Sequence, residues 1–129
     1  MNVLDENISE SQRQLLRSRR IRVRQIGYEV GRQGMKDKEI IPLLHDLDPV
    51  TFFTRDLGFY HRDLCHPSYC LVCLATGQYE AASFIRRFLR LPAFGTQAKR
   101  MGKVIRVTHS GIRIWQLHAK KEVKLMWPA

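Results

Sequence analysis

The sequence predicts an α/β domain, a mostly parallel sheet between helices with a late hairpin added at its end. Three observations predict it. Short apolar runs alternate with amphipathic stretches along the chain, as βαβ units require. Cys70–Ala75 is apolar without a break, the mark of a strand buried on both faces. Val104–Thr108 and Ile112–Leu117 are joined by His109-Ser110-Gly111 alone, which suits a hairpin. At 129 residues the chain is one domain with room for a core, and 44% apolar residues argue against disorder.

In chain order, Asn2–Leu4 reads as a short buried strand. Ser9-Glu10-Ser11-Gln12 has the capping-box pattern, starting a helix that runs to about Arg20 with Leu15 and Leu16 inward. Ile21–Ile26 alternates with period two, a strand with one basic face, and Gly27, Gly31 and Gly34 punctuate the loop after it. A helix carrying Ile40, Ile41, Leu43 and Leu44 begins near Asp37 or Lys38; Pro42 inside it predicts a late start or a kink. Val50–Thr54 is a strand bounded by Pro49, Phe59 to Tyr69 an aromatic, His-rich loop, and Ala81–Leu91 an amphipathic helix. Residues 118–129 are weakly patterned, so the domain is taken as 1–117 followed by a tail.

Charge is uneven along the chain. Residues 1–63 hold 11 Lys/Arg and 10 Asp/Glu, whereas residues 64–129 hold 11 Lys/Arg and only Glu80 and Glu122 as acids. A basic half beside an acidic half suits a polyanionic substrate, gripped by one and cut at the other; solubility is the plainer explanation. No apolar run approaches the ~20 residues of a membrane span, and the N-terminus lacks a signal-peptide pattern, so the expected location is cytoplasmic. Three cysteines, an odd number, do not form a secreted disulfide framework.

Three acids stand where a strand gives way to a loop or a helix begins: Asp5, Asp37 and Asp56. The carboxyl ends of strands in an open α/β sheet converge on one edge, so these side chains can share a crevice. Carboxylates gathered there repel one another unless a cation joins them, and magnesium or manganese is the hard divalent ion that oxygen ligands favour. Each acid also has a structural reading: Asp5 or Glu6 near a helix N-terminus, Asp37 as a cap, Asp56 in a turn.

Leu4-Asp5-Glu6-Asn7, Asp37-x-Glu39-Ile40 and Thr54-Arg55-Asp56, in this order and spacing, resemble the small PIN-like domains, a superfamily that includes the toxin nucleases of bacterial toxin–antitoxin pairs. The resemblance is good over residues 2–60 and looser to about residue 115. It implies a Rossmann-like three-layer α/β/α fold and a Mg2+- or Mn2+-dependent endoribonuclease acting on RNA. It assigns Asp5, Glu6, Asp37 and Asp56 to catalysis, the three aspartates to the metal, and Glu39 to a helper's place. An antitoxin protein is the implied partner. The Phe84/Phe88 helix face and the Phe59, Tyr60, Tyr69 loop offer surfaces for it or for a homodimer, with core packing as the other reading. Two positions depart from the pattern. Gly58 stands where relatives often carry a second acid, with Asp63 as a substitute, and Lys36 replaces a small hydroxyl residue. A catalytically lapsed nucleic-acid or protein binding module is therefore the alternative.

Candidate substrate contacts are Arg55 and the cluster Lys99-Arg100-Met101-Gly102-Lys103, with Lys36 a weaker one. Zinc at Cys65, Cys70 and Cys73 is disfavoured, because an odd separation sends Cys70 and Cys73 to opposite faces of a strand. Acid–base chemistry by His61, His66 or His109 has no spacing to enforce a pair. A phosphotransferase ranks last, because Asn7 occupies the place of its second acid.

Overall fold

The computed structural model describes residues 1–128. Its elements are β1 (Asn2–Leu4), α1 (Glu10–Ser18), β2 (Arg24–Gln25), α2 (Asp37–Asp46), β3 (Val50–Thr54), β4 (Tyr69–Leu74), α3 (Ala81–Arg90), α4 (Gln97–Arg100), β5 (Lys103–Val107), β6 (Ile112–Gln116) and β7 (Val123–Leu125). The strands form one sheet in the order β2-β1-β3-β4-β5-β6-β7. Pairing is parallel from β2 through β5 and antiparallel at β5–β6 and β6–β7. The α/β class, the mostly parallel sheet and the late hairpin are thus as the sequence predicts. β7, which extends the hairpin, lies within the weakly patterned residues 118–129.

Alternation along the strands divides the core in two. Leu4, Phe53, Cys70, Val72, Leu74, Ile105 and Val107 face α1 and α3, meeting Leu16, Phe84, Ile85 and Phe88. Val3, Phe52, Leu71, Cys73 and Val104 face α2 and the β3–β4 loop, meeting Ile40, Leu44 and Phe59. Helices therefore cover both faces. β3 and β4 are buried at every position, so each large apolar side chain there contributes about 1.5–3 kcal/mol of burial. Cys70 and Cys73 do part to opposite faces, and all three cysteines are free thiols.

Four local expectations are corrected. Gln12 does not close a capping box; its Oε1 accepts from the Ala82 N–H at 2.8 Å, joining α1 to the first turn of α3. Leu15 is 40% exposed, whereas Gln12, Arg13 and Leu16 are buried. The strand expected over Ile21–Ile26 is two residues long, because β2 is an edge strand and Ile21 has no partner in the ladder. Pro42 does not delay α2, which starts at Asp37 with Lys36 as N-cap; the Lys36 N–H donates to Glu39 Oε1 at 3.2 Å.

Candidate metal centre

The chain runs from β1 to its neighbour β2, crosses back over β1 through α2, and enters the sheet again at β3. The carboxyl ends of β1 and β3 flank this reversal, the place where open α/β sheets form a crevice. Asp5 directly follows β1, and Asp56 lies two residues past β3.

A buried polar network holds the turn after β1. The Gln25 amide donates to the carbonyls of Asp5 (3.0 Å) and Ile8 (2.8 Å), and Arg13 donates to Gln25 Oε1 at 3.2 Å. Glu29 completes it by pairing with Arg13 and accepting from the Gln25 N–H at 3.1 Å. The Asp5 carbonyl also accepts from the Ile8 N–H at 3.1 Å, whereas the Ile8 carbonyl depends on Gln25 for its partner.

Asp5 itself is 7% exposed. Its Oδ1 accepts from the Glu6 N–H at 2.8 Å and its Oδ2 from the Thr54 hydroxyl at 2.6 Å. Burial raises the Asp5 carboxyl above its ordinary value, the charges of Asp37 and Glu6 add to the rise, and the two hydrogen bonds oppose it. Asp37, the first residue of α2, is raised by what burial it has and then by the neighbouring Asp56 carboxylate. The Asp56 Oδ1 also accepts from the Gly58 N–H at 2.8 Å, forming a tight turn. A Cβ at position 58 would stand 3.0 Å from that oxygen, so a side chain there presses on the Asp56 carboxylate.

Folding therefore gathers the three acids at one end of the sheet: Asp37 feels the charge of Asp56, and Asp5 feels the charge of Asp37. Lys and Arg do not neutralise them: among the described residues, the ion-paired acids are Glu29, Glu39, Asp63, Glu80 and Glu122. The three aspartates do not form a closed ligand set on their own; no group of three His, Cys, Asp or Glu side chains among the described residues does. Their donor chemistry nevertheless fits a hard divalent cation. All donors are carboxylate oxygens, and a cation among them would offset their mutual repulsion.

The other expected residues divide. Glu6 stays beside Asp5 and accepts from the Gly34 N–H at 2.8 Å, anchoring a glycine whose φ of +76° suits its lack of a side chain. Glu39 is not a helper at the acids; it is taken by Arg32 and the Lys36 N–H. Asp63 does not substitute for an acid at 58: it is held to His61 at 3.7 Å and lines a recess with Cys65 and residues 116–120. Arg55 is half-buried at the end of β3, its Nη2 donating to the Thr76 carbonyl at 3.4 Å.

Lys99, Arg100 and Lys103 are not brought to the acids. Arg100 is buried, donating to Thr51 Oγ1 (2.9 Å) and the Phe94 carbonyl (2.6 Å). Thr51 is near the amino end of β3, three residues and so ~10 Å along the strand from Thr54. Lys99 donates to the Pro92 carbonyl (3.0 Å) and Lys103 to the Lys99 carbonyl (2.5 Å). Arg100 has a structural place, and the cluster lies at the opposite edge of the sheet. The histidines are engaged locally, His61 with Asp63, His66 with Ser68 and His109 with Glu80.

Sequence reasoning missed Thr54, Gln25 and Gln12, polar residues whose partners lie 17 to 70 residues away. The signal for Thr54 was a hydroxyl at the end of an apolar strand two residues before an acid. Comparison with protein-family models, with curated proteins and with solved structures gives no match to this chain.

Proposed function

We propose that this protein is a ribonuclease of PIN-like type that uses Mg2+ or Mn2+, acts in the cytoplasm, and serves as the toxin of a toxin–antitoxin pair. The supporting observation is the gathering of Asp5, Asp37 and Asp56 at the reversal of strand order, near enough for their charges to be felt and, among the described residues, unpaired with Lys or Arg. The toxin role, the antitoxin partner and the cytoplasmic setting rest on the resemblance of residues 2–60 to PIN-like domains.

Asp5, Asp37 and Asp56 would hold the ion. When bound, it offsets charge developing on a phosphodiester and lowers the pKa of water. The chain's own residues do the rest. Thr54 fixes the Asp5 carboxylate, and the Gly58 N–H orients that of Asp56. Asp37, exposed at the start of α2, would offer its carboxylate to the ion from the solvent side. Glu6 stands next to Asp5, placed to orient water for in-line attack. The expected products carry a 5′-phosphate and a 3′-hydroxyl. A cleavage assay on RNA and single-stranded DNA, comparing magnesium, manganese and EDTA, tests the reading. Activity should need the ion and fall at least ~100-fold in Asp5→Asn and Asp56→Asn, and equal rates in parent and variants would refute it.

A second reading, a non-catalytic binding module, draws support from Gly58, which supplies a backbone N–H where relatives often place an acid. Manganese titration separates the two. A nuclease centre binds the ion through its aspartates, and a lapsed one does not.

A further inference from the structure

The carboxyl edge holds a cation that the acids leave unused. One row of registered residues runs across the sheet from Thr54 through Cys73 and Arg106 to Arg113 and Lys124. Side chains in a row share a face, here the face of α2. The row thus leads from the carboxylates to three basic residues. Arg113 is paired with Glu122 at 3.7 Å, and Glu122 also accepts from the Tyr60 hydroxyl at 2.5 Å.

Arg106 has no such partner. Among the described residues it forms no ion pair, and its Nε is sealed from solvent without an acceptor. A buried unmatched donor is destabilising, a cost that an aliphatic side chain at this half-buried position would avoid. Among the described residues its two terminal nitrogens are not sealed and have no acceptor either. Burial raises the pKa of the Cys73 thiol, Asp56 adds to the rise and Arg106 opposes it, so both charges stand near the sulfur, yet among the described residues they form no ion pair with each other. Arg55 shows the same feature at the end of β3: its Nε, like the Thr76 hydroxyl beneath it, is buried without a partner.

A guanidinium held open at a sheet edge matches phosphate oxygens with its fork of donors. β3 and β5 are two strand spacings apart, ~10 Å, a separation that suits a phosphate next to the one held at Asp56. We propose that Arg106 grips a non-scissile phosphate of a single-stranded RNA lying along the carboxyl edge from β3 to β5. The proposal rests on the ribonuclease reading for its substrate, and names a residue outside the metal site.

The probe is a fluorescein-labelled single-stranded 12-mer RNA, bound in EDTA over a series of salt concentrations and cleaved with manganese. Arg106→Gln should weaken binding about tenfold, flatten the salt slope by about one and raise KM with kcat within about twofold. Arg106→Lys, which keeps charge and stem, should retain the salt slope but bind more weakly than the parent, and it serves if the Gln variant does not fold. Unchanged binding and KM in both variants would overturn the proposal. So would a fall in kcat at constant KM, or an equal loss in Arg90→Gln on α3, which would reduce the effect to general charge. If the parent does not cleave but Arg106→Gln still binds RNA less well, the nuclease reading fails and the phosphate contact stands. If the parent cleaves and the Arg106 variants match it, only the phosphate contact fails.

Discussion

Thr54 donates its hydroxyl proton to Asp5 Oδ2 across 2.6 Å, and Thr54 Oγ1 in turn accepts from the Asp56 N–H at 3.0 Å. One buried side chain thereby aligns the acid that follows β1 with the acid that follows β3. Thr54→Val keeps the shape but leaves a buried carboxylate oxygen and a backbone N–H without partners. It should cost about 1–3 kcal/mol in denaturant unfolding and impair cleavage, whereas Thr54→Ser keeps the hydroxyl and should preserve both within about 1 kcal/mol and tenfold. A fully active, equally stable Val variant would show that the hydroxyl does not organise the site.

Ion binding should be coupled to pH in a definite direction. Asp5 and Asp37 have raised pKa values in the folded protein, so without an ion they favour folding below their unfolded values. That contribution is lost as pH climbs through the folded ones. A divalent ion competes with those protons. Manganese at ten times its Kd should add ~1.4 kcal/mol of stability at pH 7 and clearly less near pH 4.5, read as a shift in Tm. Asp37→Asn and Asp56→Asn should abolish the shift. A shift that is the same at both pH values would place the ion elsewhere.

Arg100 tests which basic residues are structural. Its guanidinium is buried against Thr51 and the Phe94 carbonyl, so Arg100→Gln should cost on the order of 3 kcal/mol in unfolding. KM measured on the folded fraction should not change. A stable variant with a raised KM would restore Arg100 to the substrate.

Gln12 tests the joint between α1 and α3. Gln12→Leu leaves the buried Ala82 N–H unmatched and should destabilise by about 1–3 kcal/mol. Hydrogen exchange should speed up in the first turn of α3 while the amides of β3 remain protected.

The sequence by itself determined the parallel sheet and the late hairpin, because apolar runs at β3 and β4 admit no other burial and a three-residue link admits only neighbours. It also determined that Cys70 and Cys73 part, since strand periodicity is local. The tertiary structure decided which polar residues matter. Gln12 reads as a cap, Ile21–Ile26 as a full strand, and Lys99-Arg100-Met101-Gly102-Lys103 as a basic loop, yet each takes its place from partners distant in sequence. The approach of Asp37 to Asp56, the Thr54 bridge and the unmatched guanidinium nitrogen of Arg106 were likewise set by folding. Apolar burial follows a short-range pattern, whereas a polar group is satisfied or left unmatched by atoms that only the folded chain brings near.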